Sequence, residues 1–287
     1  MKRILLCTDG STFAQSCYQY GAWFASNWGA AIDVLYVTDA RGQVTAEATN
    51  LSGSIGLGAS ETLLKKLVEV EHEKAKLNHQ RAKLILQDAG QVLAQGGIET
   101  INLIHKTGFL VDYLKSLEAD ADLIVLGKRG EAADFASGHL GANVDRIVRS
   151  STKPCLVTPQ QYQPVERLLV AYDGSSTGQQ LLTFLANSPK LKTLDIHLLM
   201  AAKSASDPGP EKWLAEALPI LEGAAIAPTI SRPVGEPEKV ISQYIKQQHI
   251  SLLLMGAYGH RRIRHLVIGS TTVQLLRSCS IPILLLR

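Results

Sequence analysis

The stretch GAYGHRRIRHLVIGS, residues 256–270, reads Gly, two residues, Gly, nine residues, then Gly-Ser. It follows the apolar run 250–255, which has the composition of a buried parallel strand. It leads into residues 270–279, whose apolar positions have helical spacing. The order is strand, glycine-punctuated loop, helix. Glycines allow positive φ and close approach of backbone to a ligand. A helix N-terminus offers unpaired N–H groups to an anion. His260, Arg261, Arg262, Arg264 and His265 lie between the glycines, and Ser270, Thr271 and Thr272 supply hydroxyls. This chemistry suits a polyphosphate. The plainer reading is a solvated basic loop with chance glycine spacing, and a lone motif would not exclude it.

The rest of the chain supplies context in the form of an internal repeat. KRILLCTDGS (2–11) matches ERLLVAYDGS (166–175), and DLIVLGKRG (122–130) matches SLLLMGAYG (251–259). KPCLVT (153–158) matches IPILLL (281–286). The landmarks recur in one order at a separation too long for a solenoid, so they mark duplicated domains. A polar, proline-flanked run, PQQYQP (159–164), separates them, which predicts domains at 1–160 and 161–287.

Each half alternates strand and helix. Strands are expected at 3–8, 32–38, 98–105, 123–127 and 155–158, and again at 168–172, 195–201, 226–231, 252–256 and 283–286. Helices are expected at 12–28, 110–117, 142–149, 178–187, 237–247 and 271–278. Such alternation gives right-handed crossovers and a five-stranded parallel sheet with helices on both faces. Ligands of such sheets sit at the carboxyl ends of the strands, where strand order switches. The halves diverge after their second strands. The first carries a Gly/Ser/Thr-rich stretch, 42–60, read as a mobile loop, and then a charged helical segment, 61–95. That segment would span about 50 Å as one helix, so a kink, two helices or a protrusion is expected. The second carries 203–223, broken by Pro208, Pro210 and Pro219.

Composition excludes several classes. With 46% hydrophobic and 19% charged residues, the 287-residue chain has ample core. A net charge of +3 is too small for a general nucleic-acid binder. No apolar run reaches the roughly 18 residues of a membrane span. The start, MKRILLCTDGST, is interrupted by Thr8, Asp9 and Gly10 and reads as a first strand rather than a leader. The four cysteines have no metal-ligand spacing and read as buried thiols in a reducing, cytoplasmic setting.

Asp173 ends an apolar strand, and Gly174-Ser175 opens the next helix. A carboxylate there can accept from an adenine amino group or a ribose hydroxyl. The competing role is a helix cap. Together the DGS turns at Asp9 and Asp173, the VGEP turn at 234–237 and the glycine motif Gly256, Gly259, Gly269-Ser270 resemble the universal stress protein family in its tandem form. The resemblance covers nearly the whole chain. It implies two Rossmann-like domains of the adenine nucleotide alpha-hydrolase type, and ATP held where the motif is complete. It places Asp173, Gly174 and Met200 near adenosine and Gly235 near the ribose. Gly256, Gly259, His260, Arg261, Gly269, Ser270 and Thr271 fall around the phosphates, with Mg²⁺ arriving through the phosphates. It further implies pairing of the two domains through their apolar last strands, with a further homodimer left open.

The first half departs from that pattern. Gly127 and Gly130 are kept, but ten residues precede Gly141, Ala142 replaces the serine, and Glu131 and Asp134 enter the loop. Carboxylates repel a triphosphate, so no ATP site is expected there. A Walker lysine is absent, and no acidic pair is placed as a base. The expectation is therefore a cytoplasmic regulator that binds ATP rather than an enzyme, with unidentified protein partners. An apolar-ligand carrier and an adenylyl-transfer enzyme are the rival readings, because fold alone excludes neither.

Overall fold

The computed structural model describes residues 1–39, 57–130, 140–257 and 269–287, with backbone alone over 57–64. Gly259, His260, Arg261, Glu131, Asp134 and nearly all of the 42–60 stretch lie outside the described residues.

The strands are β1 (Arg3–Thr8), β2 (Ala31–Asp39), β3 (Ile101–Gly108), β4 (Leu123–Gly127) and β5 (Cys155–Thr158), then β6 (Arg167–Ala171), β7 (Asp195–Leu199), β8 (Thr229–Ser231), β9 (Leu252–Gly256) and β10 (Ile283–Leu286). The helices are α1 (Ala14–Trp28), α2 (Leu57–Gln95), α3 (Leu110–Leu117) and α4 (Ala142–Ser150) in the first half. The second half has α5 (Ser176–Ala186), α6 (Gly209–Gly223), α7 (Pro237–Gln247) and α8 (Ser270–Ser278). Strand order is β3-β2-β1-β4-β5-β10-β9-β6-β7-β8. Each half is thus a parallel five-stranded sheet wound in the same order. The two meet where β10 runs antiparallel to β5, with Leu284 opposite Leu156. The apolar last strands that would otherwise be exposed edges cover each other.

The central strands are buried on both faces, which is why their sequences are continuous apolar runs. One face packs under α1, α2, α5 and α6 through residues such as Phe24, Leu93, Leu182 and Leu221. The other packs under α3, α4, α7 and α8 through Leu114, Ile147, Ile241 and Leu275. Long side chains cross the seam, Lys128 and Arg287 among them. Lys128 Nζ donates to the carbonyls of Arg277 and Cys279 at 2.7 and 2.9 Å, and so caps α8. Arg287 Nη1 donates to the carbonyls of Arg149 and Ser151 at 3.2 and 3.0 Å, and so caps α4. Each half satisfies orphan carbonyls at a helix end of the other.

Three expectations change. β3 and β8 begin three residues later than expected because Ile98 and Ile226 close the preceding helices instead of opening strands. Ile98 N–H donates to Leu93 O at 3.2 Å and Ile226 N–H to Leu221 O at 2.9 Å. The residues before them, Gly97 and Ala225, have φ of 82° and 56°. This is a left-handed helix stop with an apolar anchor beyond it. Second, the segment expected to be broken by prolines contains one continuous helix, α6. Pro210 sits in its first turn, where no hydrogen bond is lost. Pro219 sits inside it, and burial of Ala217 and Leu221 holds that part. Third, the charged segment is one helix of 39 residues, about 58 Å long. It starts at Leu57 and so takes the end of the stretch read as a loop. Its later turns bury Ala82, Leu86, Ala89 and Leu93, whereas Val70 and Leu77, in earlier turns, are more than 60% exposed. Of the three forms expected, the helix takes the protruding one.

Candidate functional site

The strand order places β1 between β2 and β4, and β6 between β7 and β9. Successive crossovers therefore leave in opposite directions at β1/β4 and β6/β9, which opens a crevice at the carboxyl ends of those strands. In the second half Ala171 is in register with Met255. The following residues, Tyr172-Asp173 and Gly256-Ala257, leave the sheet side by side.

Asp173 Oδ1 accepts from Ser175 N–H at 3.0 Å, and Asp9 Oδ1 accepts from Ser11 N–H at the same distance. Both carboxylates thus fold their own turns, as the capping alternative required. Ser175 Oγ accepts from Gly178 N–H at 3.1 Å and caps α5. Gly174 has φ 71°, and the indole of Trp213 occupies the place where its side chain would go. Only glycine suits that position on both counts.

The glycine turn closes on itself. Ala257 N–H donates to Leu286 O at 2.7 Å and Gly269 N–H to Ala257 O at 3.2 Å. Thr272 Oγ1 donates to Gly256 O at 3.3 Å. Gly256 and Gly269 are therefore brought together across residues 258–268, and α8 starts beside the end of β9. No side chain caps α8 at Gly269. Ser270 is exposed and Thr271 half-buried at its first turn. A Thr271 Oγ1–Glu238 Oε2 contact of 3.5 Å places a carboxylate of α7 beside this entrance. Gly235, with φ 146°, donates its N–H to Ala202 O at 2.9 Å, beyond the end of β7.

Met200 is placed differently from the expectation. Its exposure is 0%, and it belongs to the core under α5 and α6. Its N–H donates to Ser231 O at 3.0 Å. Strand alternation puts it on the face away from α8, and the next residue, Ala201, is partly exposed on the α8 face. Asp173, Gly174, Gly256, Gly269, Ser270 and Thr271 are brought to one end of the sheet, and Met200 lies beneath it. Trp213, Glu238 and Lys128 carry no motif. Only long-range contacts reveal them.

The first half keeps the scaffold and changes the chemistry. Gly141 N–H donates to Lys128 O at 3.2 Å, the counterpart of the Gly269 closure. The Asp9 carboxylate lies where a side chain at Gly130 would have to go. A cleft of about 630 Å³ opens at the carboxyl ends of these strands. Phe13, Leu110, Leu126 and Ile147 line it below, and Lys74, Asn78 and Arg81 of α2 line it above. Beside it Thr38 Oγ1 bonds His105 Nε2 at 2.9 Å, and the His79 ring of α2 lies 5.6 Å from that of His105. Burial, with His79 adding to it, holds His105 below the ordinary histidine range.

The fold defines a pair of doubly wound α/β domains fused in one chain, each with a crevice at its strand ends. The universal stress protein family model matches residues 1–159 and again 164–287. A universal stress protein of Synechocystis sp. is 56% identical over 287 residues, covering all of both chains. The chain belongs to the universal stress protein family. Among solved structures, a universal stress protein from Archaeoglobus fulgidus matches with TM-score 0.71 and 21% identity, over 99% of this chain and 96% of that one. A functionally unknown protein from Pseudomonas aeruginosa matches with TM-score 0.66 and 12% identity, over 100% of this chain and 92% of that one. These two likenesses bear on the fold. No described helix is long and apolar enough to cross a membrane.

Proposed function

We propose that the chain is an ATP-binding regulator whose single nucleotide site lies in the second half. The observation that carries this reading is the closure of Gly269 onto Ala257, the residue after Gly256, at the end of the strand next to the one that leads to Asp173. It sets an uncapped helix start at the switch point of the sheet. The N–H groups and dipole of α8 favour an anion there. Asp173 is on the neighbouring turn for adenosine, and Arg261 and His260 belong to the loop that follows Gly259. Mg²⁺ would arrive with the phosphates and take few protein ligands. The protein binds and signals rather than turning ATP over. Its setting is cytoplasmic, the two halves act as a paired unit in solution, with a further homodimer left open, and protein partners read the nucleotide state.

The test is the nucleotide content of freshly purified protein, denatured and resolved on a column, followed by Mg-ATP titration of the emptied chain. About one adenine nucleotide per chain, or one Mg-ATP bound on titration, is expected. No binding in either form removes the reading and favours a carrier of apolar ligands. Product that forms only with a second substrate favours adenylyl transfer.

A further inference from the structure

The two halves differ most above their crevices. Ile85 of α2 sits over Gly10 as Trp213 of α6 sits over Gly174. From that shared point α6 extends back only to Gly209, about one turn. The helix α2 extends back to Leu57, about eight turns before Ile85. The added turns overhang the first-half cleft. They place Lys74, Asn78 and Arg81 in its lining, at i, i+4 and i+7 on one helical face. This roof has no counterpart in the second half, and the nucleotide reading leaves it unused.

We propose that the first-half cleft binds a small organic monoanion with an apolar body, its body on the sheet side and its charged head under Lys74 and Arg81. The size is right, since about 630 Å³ falls within the range of ligand pockets. The lower wall is apolar, with Phe13, Leu126, Val144 and Ile147 at most 8% exposed. Apolar surface withdrawn from water supplies the affinity, and a few polar groups set orientation. Position rather than net charge favours an anionic head: Lys74, which also pairs with Glu71 at 3.8 Å, and Arg81 share the roof of the cleft. A polyphosphate laid along the Gly127–Gly130 turn would meet the Asp9 carboxylate that abuts Gly130. A head held under α2 lies on the opposite wall from that turn. The cleft thiols do not join in chemistry: burial pushes Cys7 up to about 12, so the ligand is held without a covalent bond.

The probe is decanoate, titrated calorimetrically into the full chain with and without saturating Mg-ATP. The expected result is one decanoate per chain, unchanged by Mg-ATP. Affinity falls at least tenfold in Lys74→Glu/Arg81→Glu and by a smaller factor in Lys74→Gln, which alters the surface least. Lys83→Glu, on the exposed face of the same helix, leaves it unchanged. Decyl sulfate in place of decanoate keeps a single negative charge on a different head and should bind comparably. Decanol, which has no charge, binds at least tenfold more weakly. Equal binding of decanol, binding unaltered in both Lys74 variants, displacement by Mg-ATP, or no saturable binding of any of the three probes overturns the proposal.

Discussion

The two halves enter their α4 and α8 helices with nearly the same backbone. Gly141 has φ −58° and ψ 136°, and Gly269 has φ −59° and ψ 141°. Both close onto the residue after the preceding strand, at 3.2 Å. The loop before Gly141 is one residue longer than the one before Gly269, yet the helix starts alike. The entry into the two helices is thus the same despite the extra residue. The difference lies in side chains, Ala142 against Ser270 and the carboxylates of the first loop against the cations of the second, and in what stands above. An isoleucine on a long charged helix covers one crevice, and a tryptophan on a short helix covers the other. The scaffold is shared, and the halves diverge around the carboxyl ends of their strands.

The largest effect should come from the glycines under those covers. Gly174→Ala would place a methyl into the Trp213 ring at positive φ, and a cost of about 3 kcal/mol is expected from clash and strain together. Gly10→Ala meets the Ile85 side chain at 2.7 Å, with φ 73°. The aliphatic chain can turn aside, so about 1–2 kcal/mol is expected. Urea denaturation of both variants reads the difference, and equal costs would remove the distinction between the two covers.

The second contrast is functional. Gly269→Asp puts a carboxylate at the start of α8, where phosphates are proposed to sit. ATP affinity should fall at least tenfold, about 1.4 kcal/mol, without unfolding. Gly141→Asp, at the equivalent position, should leave ATP affinity unchanged. Ala142→Ser should not create a second site, because the carboxylates of the first half remain. A second site gained in that variant would make the hydroxyl the sole determinant.

A smaller effect tests the seam. Lys128→Met keeps length and loses both bonds to the end of α8. About 1–2 kcal/mol is expected, with Arg287→Met costing the same or less. A cost in both would show that the reciprocal caps help hold the halves together, and no cost in either would leave that to the β5–β10 pairing and the contacts of α1 with the second half, such as Trp28 with Phe184.

The smallest concerns pH. His105 is held below its ordinary 6.5 mainly by burial and secondarily by His79. A lowered histidine pKa leaves stability intact above the unfolded value. Stability then falls as pH drops below 6.5 and the unfolded chain takes up the proton first. His105→Gln should therefore flatten the loss of stability as pH falls below 6.5, the smallest of these effects. The Thr38 hydroxyl bonded to His105 and the His79 and Tyr36 rings are groups facing it. An unchanged pH slope would place the titration elsewhere.

Much of the fold is legible because buried parallel strands are apolar runs bounded by glycine or proline. β9 and β10 fall on their expected residues for that reason. β3 is less legible. It is an edge strand, partly exposed along its length, so apolar content marks its flank at Ile98 as strongly as its body. α6 was hidden by Pro219, because tertiary burial outweighs a local propensity that only the fold can offset. In the site, the glycine turns and Asp173 are legible because their chemistry is local. The placement of Met200 depends on which face of β7 each residue takes where the strand ends, and the apolar run there gives no alternation to read. Trp213 above Gly174, Asp9 against Gly130 and Lys128 on α8 join residues 39 to 151 positions apart, which no spacing encodes.

The most direct measurement of the central claim is the stoichiometry of Mg-ATP binding to the emptied full-length chain, by calorimetry, in the unmodified protein and in Gly269→Asp. One site per chain, lost in the variant, is the predicted result. Two sites per chain, or one site that survives Gly269→Asp, would place nucleotide in the first half and contradict the division of roles between the halves.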